Sequence, residues 1–246
     1  MVRFLMGFHV TNMLLDRDPD RIQRAYFLSS RSDPRMHGVL KKLEHNRIPR
    51  VGCDGAYLSK LVADSNHQGI VLEVLPLPPY DLDDVLANST RPLLLVLDGV
   101  TDPHNLGSCL RVADATGVTA VIVPKNKSSG LTSVAVKSSS GASEFIKLIH
   151  VTNLARTIKM MREDFDIDVV GTSDDVGSDL WEWHPENLTS GVAVVLGSEG
   201  RGMRRLTREG CSRMVRIPMH GFVSSLNVSV ASGVILYYVQ QCLASK

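Results

Sequence analysis

From residue 92 onward, the chain alternates short apolar runs with amphipathic helical patterns. The apolar runs predict β-strands at Leu93–Leu97, Thr119–Val123, Asp168–Gly171, Val192–Leu196 and Val215–Pro218. The intervening patterns predict helices at Leu106–Ala115, Leu154–Met161 and Leu226–Leu243. Strands that are apolar on both faces are typical of the α/β class, in which helices cover both sides of a mostly parallel sheet. Because ligands bind beyond the carboxyl ends of such strands, chemistry is expected in the loops that follow them.

The first 77 residues form a smaller unit with the same kinds of element. Their patterns predict strands at Ala25–Leu28, Arg50–Cys53 and Gly69–Leu75, and helices at Val10–Leu15, Met36–His45 and Ala56–Ala63. The apolar stretch from Phe4 to Leu15 is interpreted as an amphipathic first helix, because it contains polar residues and lacks a signal-peptide cleavage site. Three prolines between residues 76 and 79, followed by acidic and small residues, predict a linker. The predicted organisation is an N-terminal domain at 1–77, a linker at 78–91 and a C-terminal domain at 92–246.

The composition argues against several classes of protein. Hydrophobic residues make up 43% and charged residues 22% of the chain, the balance of a soluble globular protein. No apolar run is long enough to span a bilayer. The four cysteines lie far apart without a C-x-x-C spacing, so we expect neither a metal site nor a disulfide framework, and a cytoplasmic location. The net charge of +1 does not by itself predict nucleic-acid binding, and six arginines between residues 201 and 216 are typical of a solvated helix face.

The first candidate loop follows the strand at Leu93–Leu97 and contains Asn105, Gly107 and Arg111. Gly107 permits close approach of the backbone near a helix start. Asn105 is predicted to cap that helix, and Arg111 lies about a turn and a half further on. The G-x-G-x-x-G fingerprint is absent, which argues against a nicotinamide-binding oxidoreductase. By spacing alone, an ordinary helix cap followed by a surface arginine explains these residues better than an active site.

The second loop follows the strand at Val192–Leu196. Three glycines surround Ser198 and Glu199 in this loop. Such a loop allows the backbone to touch a ligand directly, although a tight turn with positive φ would need the same glycines. A single acid buried among glycines, with arginines after it, favours a ligand site over a simple turn.

The third loop leads from the strand at Val215–Pro218 into the last helix. It places Ser224, Ser225 and Asn227 at the predicted helix start, where free N–H groups attract anions and polar ligands. Simple helix capping explains Ser224 or Ser225 equally well when each is taken singly.

In their order along the chain and in their residues, the three loops together resemble the signature motifs of the SpoU (TrmH-like) branch of the SPOUT RNA methyltransferases. The motifs are N-x-G-x-x-x-R from Asn105 to Arg111, G-x-E-G from Gly197 to Gly200, and I-P-M…S-S-L-N-V-S-V-A from Ile217 to Ala231. The likeness extends through residues 97–107 and 202–209, and in the N-terminal half through residues 7–9 and 67–70, to members that methylate a guanosine ribose of 23S ribosomal RNA. The resemblance therefore covers nearly the whole chain.

The resemblance implies a fold, a cofactor and partners. It implies that the C-terminal domain is an α/β knot with a deep trefoil, which composition could not have predicted because knots are nearly absent from proteins. It implies a homodimer, and S-adenosyl-L-methionine held near Gly197, Ile217 and Leu226. We expect the dimer interface to include the last helix, because its small residues Ser229, Ala231, Ser232 and Gly233 allow close packing. The N-terminal domain is expected to resemble ribosomal RNA-binding proteins and to present the 23S ribosomal RNA. His220 departs from the family, which tends to have a small residue there, and we interpret it as facing solvent.

The resemblance also implies catalytic residues. Arg111 matches the family's catalytic arginine, and Asn105, Glu199, Ser225 and Asn227 would orient the arginine, the substrate phosphate and the dimer contact. A guanidinium stays protonated in proteins, so stabilising the developing alkoxide or gripping a phosphate suits Arg111 better than acting as a base. The predicted reaction is methylation of a guanosine ribose 2′-hydroxyl in 23S ribosomal RNA by S-adenosyl-L-methionine.

Two other functions stay open. A transfer-RNA 2′-O-methyltransferase of the same family would share all three loops, although the additional N-terminal domain favours ribosomal RNA. A non-catalytic RNA-binding or ribosome-assembly protein would be favoured if Arg111 or the loop glycines were missing, and they are present.

Overall fold

The computed structural model describes residues 3–62, 66–184 and 190–244. These residues form two compact units, one up to Pro78 and the other from Pro79 onward. Each unit has its own β-sheet and its own buried core.

The N-terminal unit is a four-stranded sheet with helices. Its elements are β1 (Arg3–Met6), α1 (Phe8–Arg17), β2 (Ile22–Leu28), α2 (Pro34–His45), β3 (Arg50–Cys53), α3 (Gly55–Leu61) and β4 (Ile70–Val74). The strand order is β1-β4-β2-β3, with β4 antiparallel to both of its neighbours and β3 parallel to β2. Leucines from α1, α2, α3 and β4 fill the core and are fully buried: Leu14, Leu43, Leu58 and Leu72.

The prediction of one helix from Phe4 to Leu15 is wrong. Residues up to Met6 form β1, which pairs with β4 in the register Arg3↔Val74. Gly7 then has φ 91°, a left-handed conformation that favours glycine, and α1 begins only after it. The partner strand lies about seventy residues away, so the local pattern could not reveal it. The predicted helix at Ala56–Ala63 is α3, which ends at Leu61, and Ala63 lies outside the described residues.

The C-terminal unit is a seven-stranded sheet covered on both sides by helices. Its elements are α4 (Leu82–Ala87), β5 (Leu93–Asp98), α5 (Pro103–Ala115), β6 (Ala120–Pro124), α6 (Ser133–Ser138), β7 (Lys147–Val151), α7 (Leu154–Glu163), β8 (Asp168–Thr172), β9 (Ser178–Asp179), β10 (Val192–Gly197), α8 (Arg205–Gly210), β11 (Arg213–Arg216) and α9 (Val228–Ala244). The strand order is β7-β6-β5-β10-β8-β11-β9, and every neighbouring pair is parallel. The α/β class with a mostly parallel sheet is confirmed, and the deep knot stays a prediction.

Alternate residues of β5 explain why its sequence is apolar throughout. Leu93, Leu95 and Leu97 face one core, which includes residues of α5 and α9. Leu94 and Val96 face the other core, with residues of α4 and α7. Because successive side chains of a strand point to opposite faces, a strand covered on both sides must be apolar at every position.

The segment predicted as a linker at 78–91 contains α4. Asp81 caps this helix by accepting a hydrogen bond from the N–H of Asp83. Leu82, Val85 and Leu86 are buried in the second core of the C-terminal unit. The acidic residues that suggested a solvated linker are therefore the cap and the exposed face of a short helix.

Smaller differences concern element ends and edge elements. β11 ends at Arg216, so Ile217 and Pro218 follow the strand instead of completing it. α9 begins at Val228, two residues later than predicted. β7 and β9 and the short helices α6 and α8 were not predicted. β7 lies at the sheet edge and is only partly buried, and Lys147 and His150 interrupt its apolar pattern.

Candidate active site

A cavity of about 500 Å³ lies at the carboxyl ends of β8 and β10, where the parallel sheet predicts a ligand site. Most of its lining comes from three segments, with further residues from α8, β11 and α9. The three segments are the loop after β8, the loop after β10, and the segment between β11 and α9. The volume is within the range of roughly 300–1,000 Å³ typical of small-molecule sites. The second and third loops of the sequence analysis therefore meet around one cavity.

The loop after β10 folds back on its own strand. Ser198 and Gly202 exchange two backbone hydrogen bonds, of 3.2 and 2.9 Å. A Cβ built on Gly197 would lie 2.7 Å from the Gly202 oxygen and closer still to the Gly202 carbon and the Met203 nitrogen. Only glycine at position 197 allows this turn to close. We refer to residues 197–203 as the glycine loop.

The cavity wall suits a ligand bound through backbone groups and apolar contacts. Gly200 and Gly202 have positive φ, and a Cβ built on either would meet no protein atom within 4 Å. These two glycines therefore leave open space at the lining. Met203, Ile217 and Leu226 add apolar surface. A glycine-rich rim with an apolar wall fits a flat, uncharged ring system such as adenine, whose edge would bond to backbone groups.

Glu199 joins the three loops. Its Oε1 accepts a hydrogen bond from Asn227 Nδ2 at 2.6 Å and one from Asn105 Nδ2 at 3.1 Å. Asn227 Nδ2 also donates to Asn105 Oδ1 at 2.9 Å. A carboxylate that is only an acceptor is thus held by two amides from the other two loops. Glu199 was expected to be buried among glycines, and this is wrong, because its side chain lies at the exposed rim of the cavity.

The start of α9 is capped by Asn227. Its Oδ1 accepts hydrogen bonds from the Ser229 N–H at 2.9 Å and from Ser229 Oγ at 2.6 Å. The capping role considered for Ser224 and Ser225 therefore belongs to Asn227. Ser224 and Ser225 are exposed and line the cavity.

Asp98 anchors the far end of the glycine loop. This carboxylate ends β5 and is 1% exposed. One of its oxygens accepts a hydrogen bond from the Arg204 N–H at 2.9 Å, and the other lies 3.0 Å from Arg204 Nε. The second contact is an ion pair whose N–H does not point at the oxygen, so that oxygen accepts no hydrogen bond. A buried charge is expensive unless it is paired, and this pair ties the residue after Met203 to the sheet.

The first loop differs in detail from its prediction. Asp102, not Asn105, caps α5: its side chain accepts a hydrogen bond from the His104 N–H, and Pro103 occupies the first helical position. Asn105 lies in the first turn, where its side chain is free to reach Glu199. A Cβ on Gly107 would lie 2.6 Å from Ser138 Cβ, so this glycine admits α6 and not a ligand.

Arg111 lies on α5, six residues after Asn105, or about 9 Å along the helix axis. Its side chain is exposed, and among residues 3–62, 66–184 and 190–244 it has no hydrogen-bond or ion-pair partner. It does not line the cavity. Arg111 therefore takes part in no structural salt bridge within the described part of the chain.

Five of the eight predicted site residues line the cavity. They are Gly197, Glu199, Ile217, Ser225 and Leu226. Asn105 and Asn227 contact Glu199 at the rim, and Arg111 is separate. His220 is exposed and is not part of the lining.

Sequence reasoning missed the loop after β8. Thr172, Ser173 and Asp175 line the cavity, together with Arg208 of α8. A hydrogen bond from Ser173 holds the pKa of Asp175 below its usual value, and Arg208, 3.7 Å from Asp175, acts in the same direction. The signal was available, because these residues follow a predicted strand at its carboxyl end.

The two cysteines within the C-terminal cores are not nucleophiles at neutral pH. Burial raises the pKa of Cys109 to about 12 and that of Cys211 to about 11, so both thiols are protonated. Within the described ranges, no three His, Cys, Asp or Glu residues are grouped so that they could hold a metal ion. Among the same residues, no helix combines the length and the apolar character of a membrane span.

Comparison with known proteins finds a matching family model for each of the two units. Residues 92–237 match the model of the SpoU rRNA Methylase family. The chain belongs to this family. Residues 4–80 match the model described as RNA 2′-O ribose methyltransferase substrate binding. The two matches correspond to the two compact units of the structure.

Relatives of this SpoU methylase match along nearly their whole length. The 23S rRNA (guanosine-2′-O-)-methyltransferase RlmB of Vibrio vulnificus (strain CMCP6) is 47% identical over 247 residues, covering 99% of this chain and 98% of that protein. RlmB of Escherichia coli (strain K12) is 45% identical over 240 residues, covering 96% and 97%. The SpoU methyltransferase AviRb of Streptomyces viridochromogenes, solved in complex with AdoMet, has the same fold, with a TM-score of 0.80 and 23% identity over 99% of this chain and 91% of that one.

Proposed function

We propose that the chain transfers the methyl group of S-adenosyl-L-methionine to the ribose 2′-hydroxyl of a guanosine in 23S ribosomal RNA. The observation that carries the proposal is the similarity to the RlmB proteins over both units, at 45–48% identity. A transfer-RNA enzyme of the same family would share the three loops, but a full-length match that includes the N-terminal unit favours ribosomal RNA.

The cavity is proposed to hold the cofactor. Gly197, Ile217 and Leu226 would contact it through backbone groups and apolar surface. When bound, S-adenosyl-L-methionine supplies a methyl carbon that the ribose oxygen attacks as the C–S bond breaks and its electron pair goes to sulfur. The hydroxyl proton passes to solvent. Because the methyl group is already activated, alignment of the hydroxyl is the main contribution that the protein must make.

Arg111 is proposed to bind the RNA at the reacting ribose. Its guanidinium has no partner among the described residues, so contact with RNA would break no internal ion pair. A fixed cation beside the ribose stabilises the negative charge that develops on the oxygen, and its planar fork can grip a phosphate with two hydrogen bonds.

Four residues at the cavity rim are proposed to form the surface that contacts the target nucleotide: Asn105, Glu199, Ser225 and Asn227. The three hydrogen-bonded residues connect the start of α5, the glycine loop and the start of α9. Moving any one of these loops would move the other two. Ser225 lies in the same lining and offers a hydroxyl to the substrate phosphate.

The two units are proposed to divide the work. The N-terminal unit would select the RNA, because its family model is described as substrate binding. The C-terminal unit would perform the transfer, because the cavity and the three motifs lie within it. We place the enzyme in the cytoplasm, where bacteria such as those of the RlmB relatives assemble their ribosomes.

A homodimer is proposed, with the exposed side of α9 in its interface. The small residues of α9 were expected to form the interface, yet Ser232 is fully buried and Gly233 faces Val112 of α5, so this side of α9 packs within the chain. Exposed apolar residues of the C-terminal unit include Val230 and Tyr237 on α9 itself, Phe222 and Val223 in the segment before α9, and Trp181. A second copy of this chain is the occupant that would cover them.

Mapping of ribose methylation in cells tests the proposed reaction. Ribosomal and transfer RNA from cells lacking the protein should be compared with RNA from cells complemented by the wild-type chain or by Arg111→Ala. We expect one guanosine of 23S ribosomal RNA to lose its 2′-O-methyl group and to regain it only with the wild-type chain. Unchanged 23S methylation with a loss in transfer RNA would contradict the proposal.

A further inference from the structure

Two lysines of the C-terminal unit, Lys127 and Lys137, are exposed and unpaired. Neither forms an ion pair or hydrogen bond through its side chain with any residue of the ranges that the structure describes. Five of the six arginines between residues 201 and 216 differ, because each of the five has a carboxylate within 4 Å, whereas Arg201 of the cavity lining has no partner among the described residues. These paired arginines are Arg204, Arg205, Arg208, Arg213 and Arg216. Unpaired cations can bind phosphate without first losing an internal ion pair.

Lys127 lies beside the glycine loop. Its carbonyl oxygen is 3.9 Å from the point where a Cβ of Gly99 would stand, and Ser198 Cβ is 3.6 Å from the same point. The Ser129 N–H, two residues on, donates to the Val100 oxygen at 2.8 Å and fixes the loop to the end of β5. The lysine is thereby held at the carboxyl edge of the sheet, next to the loop that lines the cavity.

The backbone of Lys127 is unusual. Its φ is 60°, in the left-handed region that a residue with a side chain rarely adopts because its Cβ crowds the backbone. Ser128 hydrogen-bonds to the Pro124 oxygen and helps to hold this turn. A strained residue kept at the edge of a ligand site motivates a functional hypothesis.

Lys137 lies on α6, which is fastened to the helix that carries Arg111. At Gly107 the two helices approach so closely that a Cβ would be 2.6 Å from Ser138 Cβ. His104 Nδ1 is 3.2 Å from Ser138 Oγ, within hydrogen-bonding distance. Gly107 and Arg111 are four residues apart and share one face of α5. Arg111 therefore lies one turn beyond the point at which α6 contacts α5.

We propose that Lys127 and Lys137, together with Arg111, form a surface that binds the phosphates on both sides of the methylated nucleotide. The inference deepens the proposed function and rests on it. Lys127 would bind an RNA phosphate next to the glycine loop, and Lys137 would bind one next to α5. This assigns part of RNA recognition to the catalytic unit itself, in addition to any contribution of the N-terminal unit.

The test uses the full-length chain and the salt dependence of RNA binding. The variants are Lys127→Asn, chosen because asparagine tolerates positive φ, Lys137→Gln, and the double variant. The matched control is Lys159→Gln, an exposed lysine of α7 that pairs with Glu163. Affinity for a transcript of 23S ribosomal RNA is measured from low to high salt. Each lost contact with a single strand should reduce the slope of log affinity against log salt by about 0.7, hence by about 1.4 for the double variant.

Further measurements separate this inference from the proposed function. The melting temperature and the affinity for S-adenosyl-L-methionine should stay at wild-type values in all variants, and Lys127→Arg with Lys137→Arg should restore the slope. If Lys127→Asn loses stability, Lys137→Gln alone should still lower the slope by about 0.7. A double variant with the wild-type slope, while the wild-type chain methylates the transcript, overturns the inference alone. A wild-type chain that neither binds nor methylates the transcript overturns the proposed function as well.

Discussion

Gly197→Ala tests whether the closure of the glycine loop builds the cofactor site. The new methyl group would lie 2.7 Å from the Gly202 oxygen and nearer still to two other backbone atoms. Ordinary contacts with a Cβ begin at about 3.4 Å and the Gly202 carbon would lie at 2.3 Å, so the backbone at 202–203 must retreat by about 1.1 Å. No flexible side chain can absorb the shift, because all three atoms belong to the backbone of the loop.

The expected loss follows from the cost of overpacking, which is about 1–3 kcal/mol at well-packed sites. If the cost falls on the closed loop, affinity for S-adenosyl-L-methionine drops by roughly five-fold to one-hundred-fold, at 1.4 kcal/mol for each factor of ten. If it falls on the fold, the melting temperature drops. Because the loop is at the rim of a cavity and can open without disrupting β10, we expect the larger effect on affinity.

Calorimetric titration of the cofactor and a thermal melt measure both effects on the same preparation. Gly221→Ala is the matched control, since this glycine lies in the third loop, has no positive φ, and a Cβ there would meet no atom within 4 Å. Gly221→Ala should bind the cofactor normally. Wild-type cofactor affinity in Gly197→Ala would refute the idea that loop closure forms the site.

Four further predictions follow from the same geometry. Arg111→Ala should lower the rate of single-turnover methyl transfer about one-hundred-fold, or on the order of 3 kcal/mol, without loss of melting temperature or cofactor affinity. Arg111→Lys should recover little of this rate. A parallel loss of stability would instead indicate a structural role for Arg111. Asp98→Ala should weaken cofactor binding and stability together, by about 1–3 kcal/mol in stability, because the Arg204 N–H loses its acceptor; an unchanged melt and titration would contradict the anchoring role. A fragment from Pro79 onward should bind the cofactor but methylate 23S ribosomal RNA poorly, and full activity would contradict the division of work. Sedimentation should show a dimer at micromolar concentration that Tyr237→Lys converts to a monomer, whereas a wild-type monomer would end the dimer proposal.

The features that the sequence predicted well are those decided by local pattern. β5 and β10 were recognised because strands covered on both faces have no polar position. The loops that follow these strands were then found by the rule for parallel sheets. Gly197, Ile217 and Leu226, which the resemblance implied as cofactor contacts, all line the cavity, and their contact with the cofactor stays a prediction.

The features that it predicted poorly depend on distant partners. β1 is a strand because β4 pairs with it, and nothing within residues 3–6 decides this. The apolar residues of α4 are buried only because they pack into the core of the C-terminal unit. The local sequence does not show that core, so the acidic residues of α4 suggested a linker. The small residues of α9 indicated close packing correctly but not the partner, which is α5 of the same chain. Burial of Glu199 was expected from the glycines beside it in the sequence. Its contacts with Asn105 and Asn227, which hold it at the exposed rim, join residues far apart in the sequence and could not be predicted.

Reconstituted methyl transfer tests the central claim most directly. The purified chain is incubated with methyl-labelled S-adenosyl-L-methionine and an unmodified transcript of 23S ribosomal RNA, and the RNA is digested to nucleosides and analysed by mass spectrometry. The account predicts one labelled product, 2′-O-methylguanosine, that is absent with Arg111→Ala and absent when transfer RNA replaces the transcript. A label on a base, on a nucleoside other than guanosine, or only on transfer RNA would contradict it.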